Sequence, residues 1–285
     1  MLAGGIVAGL HLLSSSIRTV DSAERLLELP VLSAVPTMTK SEVTGGLLTL
    51  VQHPGTIAAE SFRTLRCSLA LLGPQEPHRV FLFTSAVPGE GKSFVAVNTA
   101  IAFAQQGLKT LLLEADLRRP SLAGGILGMA EKLPGIGDYM AGEPAPINKT
   151  PIRHLWLLPS GSRIERPAEL LSSVEFAEII RWLRERFDRI VIDSAPLNVV
   201  SDTLNIVSCA SVICLVIRCS STPHKVVRRA VELLRRAGVS PDGLVLNRMP
   251  RWNGIGYHYD YSGRSAYGDP DNYAPASQEP ASSLR

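Results

Sequence analysis

Cysteine is scarce, four residues in 285, and no two of them stand in a Cys-x-x-Cys spacing. That pattern argues against a disulfide framework and against a zinc ribbon. Cys67, Cys209, Cys214 and Cys219 read instead as reduced, mostly core thiols of a cytosolic domain; the last three lie in or beside one apolar run, 208–220. On a strand, their spacing places successive cysteines on opposite faces, which is wrong for a shared metal. His53, His78, His154 and His224 are scattered singly and outline no metal site either. A basic stripe interleaved with aromatics is also missing: 29 Lys and Arg against 26 Asp and Glu leave a formal charge of +3. Nucleic acid is therefore not an implied partner. There are no internal repeats.

Long hydrophobic runs are lacking as well. The N-terminal stretch MLAGGIVAGLHLL contains His11 and falls short of the roughly 18 residues that cross a bilayer. It has neither the basic start nor the cleavage site of a secretory signal. Two readings fit it: a buried amphipathic helix, or the cytoplasmic end of a membrane helix that begins before this sequence. The abrupt passage into the polar, charged residues 14–25 favours the second.

What is present is enough apolar sequence, 45% of the chain, for one sizeable α/β core with an appendage at each end. Residues 1–55 read as a truncated membrane-helix end plus linker, because Pro30, Pro36, Gly45, Gly46 and Pro54 surround a single short helical pattern at 22–29. The domain proper is expected over 56–250. It opens with an amphipathic helix at 60–72 and a buried strand at 79–85. Strands are expected at 109–113, 154–158, 189–192, 211–217 and 243–246, and helices at 173–186 and 226–237. Apolar strands separated by helices imply a mostly parallel sheet covered on both faces, with ligands beyond the carboxyl ends of its strands. From Pro250 the apolar periodicity stops, so 251–285 reads as a disordered tail.

The first core strand runs into Ala86-Val87-Pro88-Gly89-Glu90-Gly91-Lys92-Ser93, and an apolar helix follows from Phe94. Small residues let backbone N–H groups turn onto phosphate oxygens, a helix start adds its dipole, and a lysine reaches the outer phosphates. Pro88 through Phe94 are thus candidate nucleotide-binding residues, with Ser93 offering a hydroxyl to Mg²⁺. Two further strands end in acids: Glu114 and Asp116 close one, and Asp193 closes another. Mg²⁺ binds through one or two carboxylates plus substrate phosphates, which fits acids beside a phosphate loop. The bland alternatives, a chance glycine turn and aspartates that merely end strands, explain any one of these features but not all together.

These residues resemble the bacterial tyrosine kinases of capsule and exopolysaccharide synthesis, which use the P-loop NTPase fold. The likeness runs from about Gly4 to Asn247 and rests on the loop 86–93, the acidic strand 111–118, the strand ending at Asp193, and Leu29-Pro30-Val31-Leu32. Glu60, Arg63 and Arg66 match the family's Glu-x-x-Arg-x-x-Arg subunit-contact motif. The resemblance implies a tyrosine autokinase using ATP and Mg²⁺, with Lys92 on the transferring phosphoryl, Ser93, Asp116 and Asp193 on the metal, Glu114 as base and Asn247 on the adenine side. It also implies a ring-like homo-oligomer, a membrane adaptor or a missing membrane region of a polysaccharide co-polymerase, a cognate tyrosine phosphatase, and a place at the cytoplasmic face of the bacterial inner membrane. Two departures stand out. Glu114 replaces the family's aspartate, so that Asp116 is the alternative base, and Arg166 precedes Pro167 where asparagine is common.

Five of the six tyrosines, Tyr257, Tyr259, Tyr261, Tyr267 and Tyr273, lie in the tail. Beside a tyrosine kinase-like site they read as phosphoacceptors, rather than as the weak stickers of a low-complexity segment. The competing identities are a P-loop ATPase switch of the partitioning and division-site type, or a non-kinase regulator of polysaccharide export. The switch proteins carry a signature lysine in the loop where this chain has Val87. The basic helix bearing Arg228, Arg229, Arg235 and Arg236 reads as a solvated face.

Overall fold

Continuous apolar runs bounded by turns collapse into strands that can be buried on both faces. In the computed structural model, which describes residues 16–39, 42, 48–72, 79–130, 133–140 and 147–251, the elements follow in chain order. They are helix α1 (Val20–Leu27), strand β1 (Val31–Pro36), the single turn α2 (Thr49–Gln52), α3 (Ile57–Leu71), β2 (Arg79–Ser85), α4 (Lys92–Ala104) and β3 (Thr110–Glu114). A π-helical turn (Leu122–Ile126), α5 (Ile136–Met140), β4 (Asn148–Lys149), β5 (Leu155–Leu158), α6 (Pro167–Leu171) and α7 (Val174–Arg184) come next. Then follow β6 (Arg189–Asp193), α8 (Asp202–Ile206), a 3-10 turn (Val207–Cys209), β7 (Val212–Arg218), α9 (His224–Arg236) and β8 (Gly243–Met249).

The strands make one eight-stranded sheet in the order β1-β8-β7-β2-β6-β3-β5-β4. Every neighbouring pair is parallel except β4 with β5. Alternation along each strand builds two cores. Leu111, Leu113, Ile190, Ile192, Leu215 and Ile217 pack on the side carrying α1, α7 and α9. Phe81, Phe83, Leu112, Val191, Cys214 and Val216 pack on the side carrying α3 and α4. Helix starts follow local capping: the Thr56 hydroxyl accepts from the Ala59 N–H to begin α3, and Ser173 does the same from Phe176 to begin α7.

One expectation is corrected here. Residues 31–36, read as linker, form a fully buried edge strand paired in parallel with β8. The Ser33 hydroxyl donates to the Ser61 carbonyl at 2.7 Å and the Ser68 hydroxyl donates to the Leu32 carbonyl at 2.9 Å, tying this strand to α3. Locally VLSAVP carries two prolines in or beside it and no alternating pattern, so its strand character comes from a partner more than 200 residues away. Packing divides the chain at Pro250 into 1–250 and 251–285. The N-terminal apolar run and Tyr257, Tyr259, Tyr261, Tyr267 and Tyr273 lie outside the described residues. Among the described residues no helix is long and apolar enough to cross a membrane.

Candidate functional site

Central strand β2 hands the chain to the loop 86–91, and α4 starts at Lys92 with Gly91 as its N-cap. Gly89 and Gly91 take φ of +83° and +89°, the left-handed region open to glycine at little cost. Glu90 folds back under the loop and is 2% exposed. Its carboxylate accepts from the Val87 N–H at 2.9 Å and from the Arg218 N–H at 3.4 Å. Burial pushes the Glu90 carboxyl up, and these N–H donors and the Thr222 side chain oppose that push. The buried Asn247 amide donates to the Glu90 carbonyl at 2.8 Å. The loop is thus braced against the ends of β7 and β8 before any ligand arrives.

The parallel register places Glu114 beside Asp193 at the ends of β3 and β6. Lys92, the first residue of α4, meets two carboxylates: Asp116 Oδ2 at 2.9 Å and Asp193 Oδ1 at 3.4 Å. It also donates to the Ser93 hydroxyl at 3.2 Å. Burial works against the Lys92 ammonium, but Asp193 and Asp116 outweigh it and hold its pKa above the usual lysine range. Complete burial pushes the Asp193 carboxyl up to about 6, against the pull of Lys92 and the Ser93 hydroxyl. Its Oδ2 is buried without a partner. An orphaned carboxylate oxygen, a second carboxylate and a hydroxyl are hard oxygen donors of the kind Mg²⁺ takes. Among the described residues no group of three His, Cys, Asp or Glu gathers as a complete metal site, so phosphate oxygens and water would have to complete the shell.

That raised pKa has a consequence for pH. If Asp193 serves the metal, it must be ionised to do so, and below about 6 the ligand-free chain holds it protonated. Affinity for Mg·nucleotide is expected to fall by about 10-fold between pH 7 and pH 5, as the competent fraction shrinks. The sign for stability is the reverse. A carboxyl with a raised folded pKa stabilises the ligand-free fold below its unfolded value and loses that contribution as pH rises through about 6. Titration of a fluorescent ADP analogue with Mg²⁺ across pH 5 to 8 checks this; a flat profile would remove Asp193 from the metal site.

A cavity of about 460 Å³ is lined by Lys92, Ser93 and Asp116 together with Arg119, Pro196 and Val199. Val199 is 58% exposed. A second cavity, about 320 Å³, lies against Gly91, Phe94 and Asn247. Asn247 therefore borders the loop as well as bracing it. Arg118 and Asp202 had no assigned role in the sequence. They form a bidentate pair at 2.7 and 3.0 Å, with Asp202 1% exposed, which pins the acidic loop after β3 to α8. Arg118 lies within the acidic motif, but nothing local marks Asp202, 84 residues on.

Glu114, the expected base, is not among the residues lining the Lys92 cavity. It borders a different cavity, about 390 Å³, with Ser121 and Ser160. Both of its carboxylate oxygens accept backbone N–H groups there. On α3, Glu60 pairs with Arg63 of the same helix at 2.9 Å, and Arg63 also donates to the Pro54 carbonyl. Arg66 reaches the Ala102 carbonyl of α4 at 3.4 Å. The local i,i+3 reading of this motif is thus present within one chain, with the Glu60 side chain 66% exposed.

No family model matches the chain. CapB of Staphylococcus aureus is 30% identical over 79% of this chain and 99% of its own length. The tyrosine-protein kinase Wzc of Salmonella typhimurium is 31% identical over 76% of this chain, which spans only 31% of Wzc. Among solved structures, the tyrosine kinase domain of BceF superposes with a TM-score of 0.73 at 30% identity, covering 82% of this chain and all of that one. A relative aligned along nearly its full length and a kinase domain sharing the sheet and its helices carry one conclusion: the chain belongs to the bacterial tyrosine kinases built on the P-loop fold.

Proposed function

We propose that this chain transfers the γ-phosphoryl group of Mg·ATP to tyrosines of its own tail, or of a neighbouring copy's tail, in the control of exopolysaccharide or capsule synthesis and export. The observation that carries the reading is Lys92, on the phosphate loop, meeting Asp116 and Asp193 from two other strand ends beneath an open cavity. Phosphoryl transfer asks mainly for positioning and charge stabilisation. Backbone N–H groups of 89–91 and the start of α4 take the phosphates, and Lys92 sits beneath the group in transfer. Ser93, Asp116 and Asp193 would hold Mg²⁺, which when bound neutralises phosphate charge. Asn247 and Phe94 suit the adenine side of the loop. Pro196 and Val199 offer an apolar wall to a phenol ring, and Asp116 lines the same cavity.

The proposed acceptors are Tyr257, Tyr259, Tyr261, Tyr267 and Tyr273. Each phosphate would add about −1.5 to −2 charges, enough to drive neighbouring tails apart. Glu60, Arg63 and Arg66 are proposed to reach a second copy in a ring-like oligomer, exchanging their local partners for intersubunit ones. The rest of the assembly would be a membrane adaptor or membrane region at the cytoplasmic face of the inner membrane, and a tyrosine phosphatase to reset the tail. Incubation of the full chain with Mg·ATP and its membrane partner is expected to place phosphate within residues 251–285, located by mass spectrometry. Tyr139 is expected to stay unmodified, because a hydroxyl must come within about 3–3.5 Å in line with the γ-phosphate and Tyr139 is held on α5. ATP hydrolysis with all five tail tyrosines bare would favour the ATPase switch.

A further inference from the structure

Residue 114 stands where the family motif has aspartate, and the extra methylene of glutamate has a definite use in this fold. Glu114 is the last residue of β3 and is 2% exposed. Its Oε1 accepts from the Ser121 N–H at 2.6 Å and from the Leu122 N–H at 2.8 Å. Its Oε2 accepts from the Ser160 N–H at 3.2 Å. A carboxylate buried without partners is costly, and backbone N–H donors are what offset that cost. The bonds to Ser121 and Leu122 close residues 115–120 into a loop, and the bond to Ser160 fastens the base of that loop to the turn after β5.

The closed loop carries Asp116, Arg118 and Arg119. The Ala115 N–H donates to the Asp193 carbonyl at 2.7 Å, and the Arg119 N–H donates to Asp116 Oδ1 at 3.2 Å. With Glu114 holding one end and the Arg118–Asp202 pair the middle, Asp116 has one place to stand, on Lys92. We propose that Glu114 is a positioning residue, a clasp that fixes the acidic loop so that Asp116 and Arg119 keep their places at the phosphoryl cavity. An aspartate at this position ends one methylene short of the N–H groups of 121, 122 and 160. The functional half of this proposal rests on the kinase reading above; the structural half does not.

The test uses the full chain with Glu114→Gln, Glu114→Asp and Glu114→Ala. Glutamine keeps an oxygen for Ser121 and Leu122 and loses only the acceptor for Ser160. Its kcat for tail phosphorylation should fall less than ~10-fold, with KM for ATP and the acid limb of the pH profile unchanged, since ~10²–10⁴-fold is the scale of a lost general base. Asp and Ala should lower kcat by ~10²-fold through misplacement on the order of 1 Å, at near-normal KM. Amide hydrogen exchange at Ser121, Leu122 and Ser160 should speed up in both. A glutamine variant as inactive as alanine, with its acid limb gone and the aspartate variant active, would establish Glu114 as the base and overturn the clasp. If the wild type itself phosphorylates nothing, the kinase reading fails and exchange still decides. Unchanged exchange at the three amides in Glu114→Asp or Glu114→Ala overturns the clasp, and faster exchange supports it.

Discussion

Replacing Lys92 with methionine is expected to abolish tail phosphorylation, with a loss on the order of 10³-fold or more, the upper end of what removing one preorganised transition-state charge costs. Lys92 is the cation that meets both Asp116 and Asp193, at 2.9 and 3.4 Å. Methionine keeps most of the length and none of the charge, so the phosphoryl group would face two carboxylates without an ammonium between them. Nucleotide affinity should fall too, because the lysine contributes to ground-state phosphate binding. The fold should survive. Stripping a partner from a buried charge can cost ~3–5 kcal/mol, but Asp193, with its carboxyl already pushed up to about 6, can take a proton and shed part of that penalty. Phosphotyrosine blotting, a fluorescent-nucleotide titration and a thermal melt separate these effects. Wild-type phosphotyrosine in Lys92→Met would take the phosphate loop out of the chemistry.

Gly91→Ala should weaken nucleotide binding through geometry alone. At φ +89° an L-residue pays about 1–2 kcal/mol in backbone strain, close to 10-fold in affinity if all of it falls on the ligand-competent loop. A Cβ there would also sit 2.1 Å from the Asn247 Nδ2, a clash that forces either the asparagine or the loop to move. Asn247 is not a free end: it is buried and donates to the Glu90 carbonyl. The strain therefore falls on the residue just before Lys92 and Ser93. Gly89→Ala is the control. Its φ of +83° brings the same backbone cost, yet a Cβ there meets no heavy atom within 4 Å. Nucleotide binding should be clearly weaker in Gly91→Ala than in Gly89→Ala, and trimming Asn247 to alanine should return part of the difference. Equal affinities in the two glycine variants would show that the contact with Asn247 does not shape the loop.

The central strands were legible because each is a short apolar run with its own turn signals. β2 at 79–85 and β6, starting at Arg189, stand within a residue of where the sequence puts them. The phosphate loop was legible for a related reason: eight consecutive residues contain everything a phosphate cradle needs. Helix starts were harder. α3 begins at Ile57, ahead of the pattern expected from residue 60, because the cap is a threonine hydroxyl four residues before the first charged position.

By itself, then, the sequence determined the local pieces: apolar strands, a glycine-bearing loop before a helix, and acids at strand ends. Each is a matter of neighbouring residues and short-range sterics. Tertiary structure decided what joins what. It made a proline-bounded segment into β1 by giving it β8 as partner. It set Arg118 on Asp202. It also turned Glu114 away from the phosphoryl cavity, because the N–H groups of Ser121, Leu122 and Ser160 converge on that carboxylate only once the chain has folded. The physical reason is common to all three: buried backbone and charged groups must find partners, and partners brought close only by folding, from seven residues away for Glu114 to more than 200 for β1, leave no pattern in a local window.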